Sequence, residues 1–223
     1  MKKNYMRGVA AALIAAAIIV VAAVIAAIPS CKNTLEFSAR YFFVCYKSTD
    51  DAYSASTISS TVQSYGGAGY IVKLGQSYYV TVACYYSDED AQSICSTLVE
   101  EGLSCTVVEA YIGGYELPSR LSDSRDSILG SLTVLNQLGT IFYEAANAID
   151  VGTLSNSAAQ SVLSDARTAL CGIMNGNQGN ALYDEVKYLI ALVDDIVGDY
   201  IYAREIRALQ IAVCDALLNV NFV

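Results

Sequence analysis

Histidine is absent from the sequence, and basic residues are scarce, since 13 lysines and arginines stand against 22 aspartates and glutamates. Without histidine, a zinc site would need a set of cysteine thiolates or carboxylates. The cysteines include no C-x-x-C pair, and their spacing does not suggest such a set. We therefore predict that the chain holds no metal and uses no cofactor.

The lack of histidine also leaves acid–base catalysis to carboxylates. The candidates are Glu144, Asp150, Asp194 and Asp195. Asp194 and Asp195 fall on the polar side of a predicted helix, which is typical of a solvated face. We therefore predict that the protein is not an enzyme.

A long hydrophobic run occupies residues 9–28, VAAALIAAAIIVVAAVIAAI. As a helix that rises ~1.5 Å per residue, it is long enough to cross a hydrocarbon core of ~30 Å. Lys2, Lys3 and Arg7 precede the run, and the positive-inside rule keeps such a terminus in the cytoplasm. We predict a single-pass membrane anchor within residues 1–30 and an extracytoplasmic location for the rest.

The end of this run leaves an alternative open. The stretch from Ile28 to Cys31 resembles a lipobox, whose cysteine is lipidated after cleavage, although proline at its second position is unusual. A cleaved signal peptide usually has a shorter apolar run and an A-x-A-like exit, which is not seen here. Either a helix or a lipid on Cys31 would tether the chain to a membrane.

The exported part is strongly acidic. After Lys2, Lys3 and Arg7 are set aside, ten basic residues face 22 acidic ones, which gives a net charge of −12. Nucleic acids select basic surfaces, so we predict no nucleic-acid partner. Glycans and proteins remain open as partners.

Seven cysteines in an exported chain allow disulfides, but the number is odd and the spacings form no compact framework. Cys45, Cys84 and Cys105 lie within apolar strand patterns, where free cysteine behaves as a small hydrophobic residue. Buried thiols are therefore the favoured prediction, with disulfides as the alternative.

Two stretches, RYFFVCYKSTDDAYSASTISSTVQ at 40–63 and YVTVACYYSDEDAQSICSTLVEEG at 79–102, are similar at an offset of 39 residues. The identical pairs are Cys45/Cys84, Tyr46/Tyr85, Ser48/Ser87, Asp51/Asp90 and Ala52/Ala91. Each copy begins with an aromatic and β-branched run, continues with helix-capping residues, and then shows helical spacing. The repeat therefore predicts a duplicated β-α-β unit.

The predicted strands lie at 41–46, 69–74, 78–85 and 103–110, with a helix inside each copy of the repeat. Residues 75–77 form a short turn, which predicts a hairpin between the second and third strands. Two β-α-β halves with right-handed crossovers interleave into an antiparallel sheet of order 4-1-3-2 with both helices on one face.

Beyond Pro118 the apolar residues change to a period of 3.6, which predicts a helical hairpin or a bundle of three or four helices. The first stripe contains Ile128, Leu132, Leu135, Phe142, Ala145 and Ile149, and the second contains Val162, Ala166, Leu170 and Ile173. A long third stripe runs from Leu182 to Leu217. The fold class is therefore α+β, with an anchor at 1–30, a sheet domain at 38–112 and a helical domain at 117–223.

The stretch YYVTVACYYSDEDAQSICSTLVEEGLSCTVV at 78–108 resembles the SPOR domain, the sporulation-related repeat of bacterial envelope proteins. The family pattern is filled by Tyr79, Val80, Val82, Ala83, Tyr85, Ser87, Ala91, Leu98 and Gly102, and in a weaker first copy by Phe43, Tyr46, Ser48 and Ala52. The resemblance covers residues 40–111. The sequence departs from the pattern at Ala83, where the family has glycine. The position after the first valine, which is often polar in the family, is Thr81 here and Phe42 in the first copy.

The resemblance implies a βαββαβ fold and binding to peptidoglycan, particularly to glycan strands stripped of stem peptides. It also implies a role at division sites or at a sporulation septum. The single anchor before an exported domain is similar to the arrangement in many members of the family.

A surface for such glycans follows from the two-residue period of the strands. If Tyr41, Phe43 and Cys45 point toward the helices together with Val80, Val82 and Cys84, the other set lies on an open face. That candidate peptidoglycan-binding set is Phe42, Val44, Tyr46, Tyr79, Thr81, Ala83 and Tyr85. Aromatic rings there would offer C–H faces to sugars, while hydroxyl groups would form hydrogen bonds.

The alternative is that these rings are core, covered by the C-terminal helices. A register shift of one residue, or a bulge near Ala83 and Cys84, would exchange the two sets. In that case an envelope scaffold, using the same fold or the C-terminal helices for protein contact or self-association, is the competing function.

Overall fold

The structure, a computed structural model, describes residues 34–196 and 200–222, so the predicted anchor at 9–28 and Cys31 lie outside it. The described chain is α+β, with a four-stranded antiparallel sheet, two helices on one face of that sheet and a helical bundle on the other. None of the helices in these two segments is both long and apolar enough to span a bilayer.

The sheet confirms the predicted strand order. Its strands are β2 (Ala39–Thr49), β3 (Tyr70–Leu74), β4 (Ser77–Tyr85) and β5 (Thr106–Ile112). They lie in the order β3-β4-β2-β5, and every neighbouring pair is antiparallel. This is the interleaved arrangement that the 39-residue repeat predicts.

A second, two-stranded sheet pairs β1 (Thr34–Leu35) with β6 (Tyr115–Glu116). Neither of these short strands is among the four predicted from the sequence. Leu35 is fully buried, however, and it belongs to the main core. The chain segments that precede and follow the four-stranded sheet are therefore paired with each other.

Helices α1 (Ala52–Ser64) and α2 (Asp88–Glu100) begin where the capping residues predict. The Asp51 carboxylate accepts a hydrogen bond from the backbone N–H of Ser54 at 2.7 Å, and Ser87 caps α2 in the same way. Each satisfies a backbone donor that the first turn of a helix leaves free. The two copies of the repeat thus begin their helices by the same physical device.

The hairpin between β3 and β4 turns at Gly75, where φ is +62°. Leu74 pairs with Ser77, so the loop has two residues. A left-handed backbone there costs glycine little because it lacks a Cβ atom.

The C-terminal half contains α3 (Arg125–Asp150), α4 (Asn156–Gly176), α5 (Ala181–Asp195) and α6 (Ala203–Asn219), after a 3-10 turn at Ser119–Ser124. The first two stripes correspond to α3 and α4. The third does not form one long helix, because α5 ends at Asp195 and α6 begins at Ala203. Helix α6 packs against α3 and also against β3, β4 and β5.

One apolar core runs through both predicted domains. It contains Tyr41 and Phe43 from the sheet together with Phe142 of α3 and Leu209 of α6. Two smaller clusters lie between the sheet and helices α1 and α2. The central strands β2 and β4 are consequently covered on both faces, whereas Tyr111 on the edge strand β5 stays 61% exposed.

Candidate functional site

The predicted orientation of β2 is wrong. Phe42 and Val44 point toward α2 and pack with Ala91, whereas Tyr41 and Phe43 belong to the core shared with the bundle. The expected set is therefore displaced by one residue, which exchanges the two faces of a strand.

On β4 the prediction is partly right, because a bulge changes the pairing. Val44 pairs with Ala83, while the next residue, Cys45, pairs with Thr81 and leaves Val82 without a partner in the register. Such an extra residue shifts the alternation locally. Val80 and Val82 accordingly face the helices as predicted.

Cys84, which follows the bulge, does not face helices α1 and α2 as predicted. Its side chain lies in the bundle-facing core, 4.0 Å from the sulfur of Cys214 on α6. The alternative that a bulge near this residue exchanges the faces is the one that the structure shows.

The seven candidate residues form no common exposed surface. Phe42, Val44, Thr81 and Ala83 are buried, and Tyr46, Tyr79 and Tyr85 are half-buried. Tyr85 packs on the α2 side of the sheet and Tyr79 against the bundle-facing core. The Thr81 hydroxyl donates to the backbone carbonyl of Tyr70 at 2.6 Å and is fully buried.

The face opposite α1 and α2 is sealed by hydrogen bonds as well as by apolar contact. The buried Gln210 amide donates from Nε2 to the carbonyl of Cys84 at 2.9 Å. The Tyr41 hydroxyl donates to Oδ1 of Asn136 on α3, also at 2.9 Å. These polar groups are satisfied across the interface, which buried polar atoms require.

A third such contact joins the β3 edge of the sheet to α6. The Tyr70 hydroxyl donates to Oδ2 of Asp215 at 3.2 Å, and Nδ2 of Asn219 donates to Oδ1 of the same carboxylate at 2.8 Å. Burial raises the pKa of Asp215 to about 6, and the negative charge of Glu185 adds to the effect. Burial also raises the pKa of Tyr70, reinforced by the charge of Asp215.

Helix α6 is too deeply buried to act as a movable lid. Ile206, Leu209, Ile211, Val213 and Leu217 are each at most 2% exposed. Burial of a large aliphatic side chain contributes ~1.5–3 kcal/mol, so these five account for roughly 7–15 kcal/mol. Detaching α6 would return this apolar surface to water, so α6 is an integral cover of the sheet face.

An exposed concave feature remains on the opposite side, between the ends of α1 and α2. The α1–α2 cleft has a volume of about 70 Å³. Its walls are mainly apolar and aromatic and include Tyr46, Val62, Tyr65, Val82, Leu98 and Leu103. The sequence did not predict this cleft, because it depends on how two separate helices and the sheet beneath them are spaced.

The surroundings of the α1–α2 cleft are acidic. Neither helix contains a lysine or an arginine, and both helices end beside the cleft. Glu100 and Glu101 stand exposed at the end of α2. A cation lies beside one wall of the cleft, because the amino group of Lys47 is 5.4 Å from the ring centre of Tyr46.

A disulfide supports the α2 side of this cleft. Cys95 of α2 is bonded to Cys105, just before β5, with their Cα atoms 5.5 Å apart. The prediction of a buried thiol at Cys105 is wrong for this reason. Cys45 and Cys84 are buried free thiols, as expected, and burial raises the pKa of the Cys45 thiol to about 12.

A second, more polar depression lies between α1 and α6. The α1–α6 groove has a volume of about 450 Å³ and is lined by Ser60, Gln63, Ser64, Arg204 and Glu205, among others. Next to it the exposed rings of Tyr200 and Tyr202 lie with their centres 4.9 Å apart. The Arg204 guanidinium lies 4.8 Å from the ring centre of Tyr202.

Two of the four carboxylates considered for catalysis, Asp150 and Asp194, lie in separate ion pairs. Asp194 accepts two hydrogen bonds from Arg167, at 2.6 and 3.2 Å, which lower the pKa of that carboxyl. Asp150 is paired with Arg207. Among residues 34–196 and 200–222, no group of three cysteine, aspartate or glutamate side chains is arranged to hold a metal ion.

Comparison with known proteins assigns the chain to no family. No family model matches the chain, and no curated protein matches it. A match among solved structures is the peptidoglycan-binding domain of the B. subtilis cell wall lytic enzyme CwlC. It is 14% identical, with a TM-score of 0.28, and covers 32% of this chain and 91% of that domain. A likeness at this level carries no argument about fold or function.

Proposed function

We propose that this chain is a non-enzymatic scaffold of the cell envelope. Its anchor at 9–28 holds it to a membrane, and its extracytoplasmic part makes contacts with other proteins. The βαββαβ unit shares one apolar core with the helical bundle, and it does not present its sheet to a glycan.

The observation that carries this proposal is the burial of both sheet faces. A glycan platform needs rings that sugars can reach, but Phe42 is 5% exposed and Thr81 is not exposed at all. The opposite face is covered by α6, whose apolar residues are buried against it. The accessible surfaces include the outer sides of the helices, which are suited to protein contact, and the outer end of the β2–β5 pair, where Arg40, Glu109 and Tyr111 are exposed.

Two features support an exported location. The Cys95–Cys105 disulfide is of a kind that persists in oxidising compartments and is rare in the cytosol. The acidic composition is in keeping with a surface that does not bind nucleic acid. Both agree with the topology expected from Lys2, Lys3 and Arg7.

The test is co-sedimentation of the full chain, solubilised in a neutral detergent, with purified glycan strands that lack stem peptides. The scaffold proposal expects the protein to remain in the supernatant at every glycan concentration. Saturable appearance in the pellet would overturn it. The sheet domain alone is unsuitable for this test, because Tyr41 and Phe43 lie in a core shared with the bundle.

Peptidoglycan binding at another surface is the second candidate. The confirmed strand order, together with the residues that resemble the SPOR pattern, favours it. The α1–α6 groove would then be the site, with Tyr200 and Tyr202 as the rings that contact sugars. Its volume falls in the usual range for ligand pockets, roughly 300–1,000 Å³.

A variant pair separates the two candidates. If glycan sediments the full chain through this groove, Tyr200→Ser with Tyr202→Ser should weaken sedimentation about tenfold or more, at ~1–1.5 kcal/mol or more for two aromatic contacts. Tyr53→Ser, at an exposed tyrosine on α1, is the matched control and should leave sedimentation unchanged.

A further inference from the structure

We propose that the α1–α2 cleft binds a basic segment of a partner protein, in which one aliphatic side chain is flanked by lysines or arginines. The proposal rests on the scaffold function and specifies the chemistry of its partner. It is carried by the size of the cleft, by its apolar walls and by the charge around it.

The size of the cleft fits a side chain better than a small molecule. Its volume of about 70 Å³ is well below the roughly 300–1,000 Å³ of typical ligand pockets. Val62, Val82 and Leu98 form an apolar floor, which offers a hydrophobic contact but few hydrogen bonds. Tyr65 stands at the rim with 78% of its surface exposed, so an arriving chain could pack against its ring.

The charge around the cleft selects a cation. A helix C-terminus carries a partial charge of about −0.5, and both α1 and α2 end here without a basic residue in the last turn. Glu100 and Glu101, exposed in the chain between the cleft residues Leu98 and Leu103, add two negative charges, and Lys47 beside Tyr46 offsets one of them. Residues 34–116 as a whole contain ten acidic and three basic residues. An acidic partner would be repelled, whereas a basic one would be attracted over several ångströms.

The walls of the cleft are fixed before any partner arrives. The Cys95–Cys105 disulfide joins α2 to the chain entering β5, and Leu103 and Ser104 of the cleft lie just before Cys105. The backbone N–H of Leu103 donates to the carbonyl of Leu98 at 2.9 Å. A preformed site loses less conformational entropy on binding.

The experiment measures fluorescence anisotropy of labelled hexapeptides with the full chain in maltoside micelles at low salt. The three probes are Lys-Lys-Leu-Lys-Lys-Gly, the same peptide with glutamates in place of its lysines, and the same peptide with serine in place of leucine. We expect saturable binding of the first and at least tenfold weaker binding of the other two. Empty micelles provide the background.

Two surface variants test the location. Glu100→Gln with Glu101→Gln should weaken binding of the lysine–leucine peptide about fivefold, and Tyr65→Ser by a similar factor. Their matched controls are Asp123→Asn with Asp165→Asn, and Tyr53→Ser, all at exposed positions. These controls should change binding by less than twofold.

Three results would overturn the proposal: no saturable binding of the first peptide, equal binding of the glutamate peptide, or equal losses in the cleft and control variants. Failure of the scaffold proposal is a separate result, because it would be seen as sedimentation of the chain with glycan strands. A chain that binds neither peptide nor glycan loses this inference but keeps the scaffold proposal.

Discussion

Asp215 offers a direct test of how the bundle is held on the sheet. Its carboxylate is half-buried between α6 and β3, where it accepts hydrogen bonds from Tyr70 and Asn219. Burial raises its pKa from 3.8 to about 6, although both hydrogen bonds act in the opposite direction. Desolvation of the charged form is therefore the larger effect.

The sign of the pH dependence follows from this shift. The folded chain binds the proton of Asp215 more tightly than the unfolded chain does, so the carboxyl destabilises the fold when it is ionised. The cost is absent below pH ~4, grows as the pH rises and is complete above pH ~6. The rise in pKa from 3.8 to about 6 corresponds to about 3 kcal/mol.

Asp215→Asn removes the charge while keeping the shape. The amide has one acceptor oxygen instead of two, so one of the two hydrogen bonds is weakened or lost, at about 1 kcal/mol. We therefore expect the variant to be about 2 kcal/mol more stable than the wild type at pH 7.5. At pH 4, where the desolvation cost has gone, it should be about 1 kcal/mol less stable.

The assay is urea unfolding followed by near-ultraviolet circular dichroism of the tyrosines, at both pH values. Asp165→Asn, on the exposed side of α4, is the control and should change the free energy of unfolding by less than 0.5 kcal/mol. A variant that is less stable than the wild type at pH 7.5 would show that the contact stabilises the interface in its charged form. The reasoning above would then be wrong.

Three further outcomes are expected. Gln210→Leu leaves the buried carbonyl of Cys84 without its donor and should lower the free energy of unfolding by ~1–3 kcal/mol, seen as a lower urea midpoint at unchanged slope. Cys105→Ser removes the disulfide to Cys95 and should cost about 3 kcal/mol; equal stability of the wild type with and without dithiothreitol would contradict this. In the folded chain a thiol reagent should modify the half-exposed Cys171 well before Cys84, which peptide mapping by mass spectrometry can check.

The order of the strands and the starts of the first two helices could be predicted because their signals are local or repeated. Asp51 and Ser87 are capping residues at equivalent places in the two copies, and each caps its helix. A duplicated β-α-β unit with right-handed crossovers leaves few arrangements for four strands. The pairing of β2 with both β4 and β5 is one of them.

The sequence could not predict which face of the sheet each β2 side chain lies on, because β2 lacks the alternating polar residues that usually identify the outer face. Alternation identifies the inner face of a strand when the other residues are polar. Here both sets are apolar, with Tyr41 and Phe43 in one and Phe42 and Val44 in the other, since the sheet is covered on both sides. The bulge at Val82 then shifts the pattern within β4.

The sequence by itself determined the element types, the strand order and the acidic character of the chain, because periodicity, capping and charge are properties of neighbouring residues. The tertiary structure alone decided which surfaces remain accessible. That α6 closes one sheet face, and that α1 and α2 leave an acidic cleft on the other side, depends on apolar surfaces that meet from distant parts of the chain. Burial is a non-local quantity, so the ring-rich strands that suggested a glycan platform became the interior of the protein.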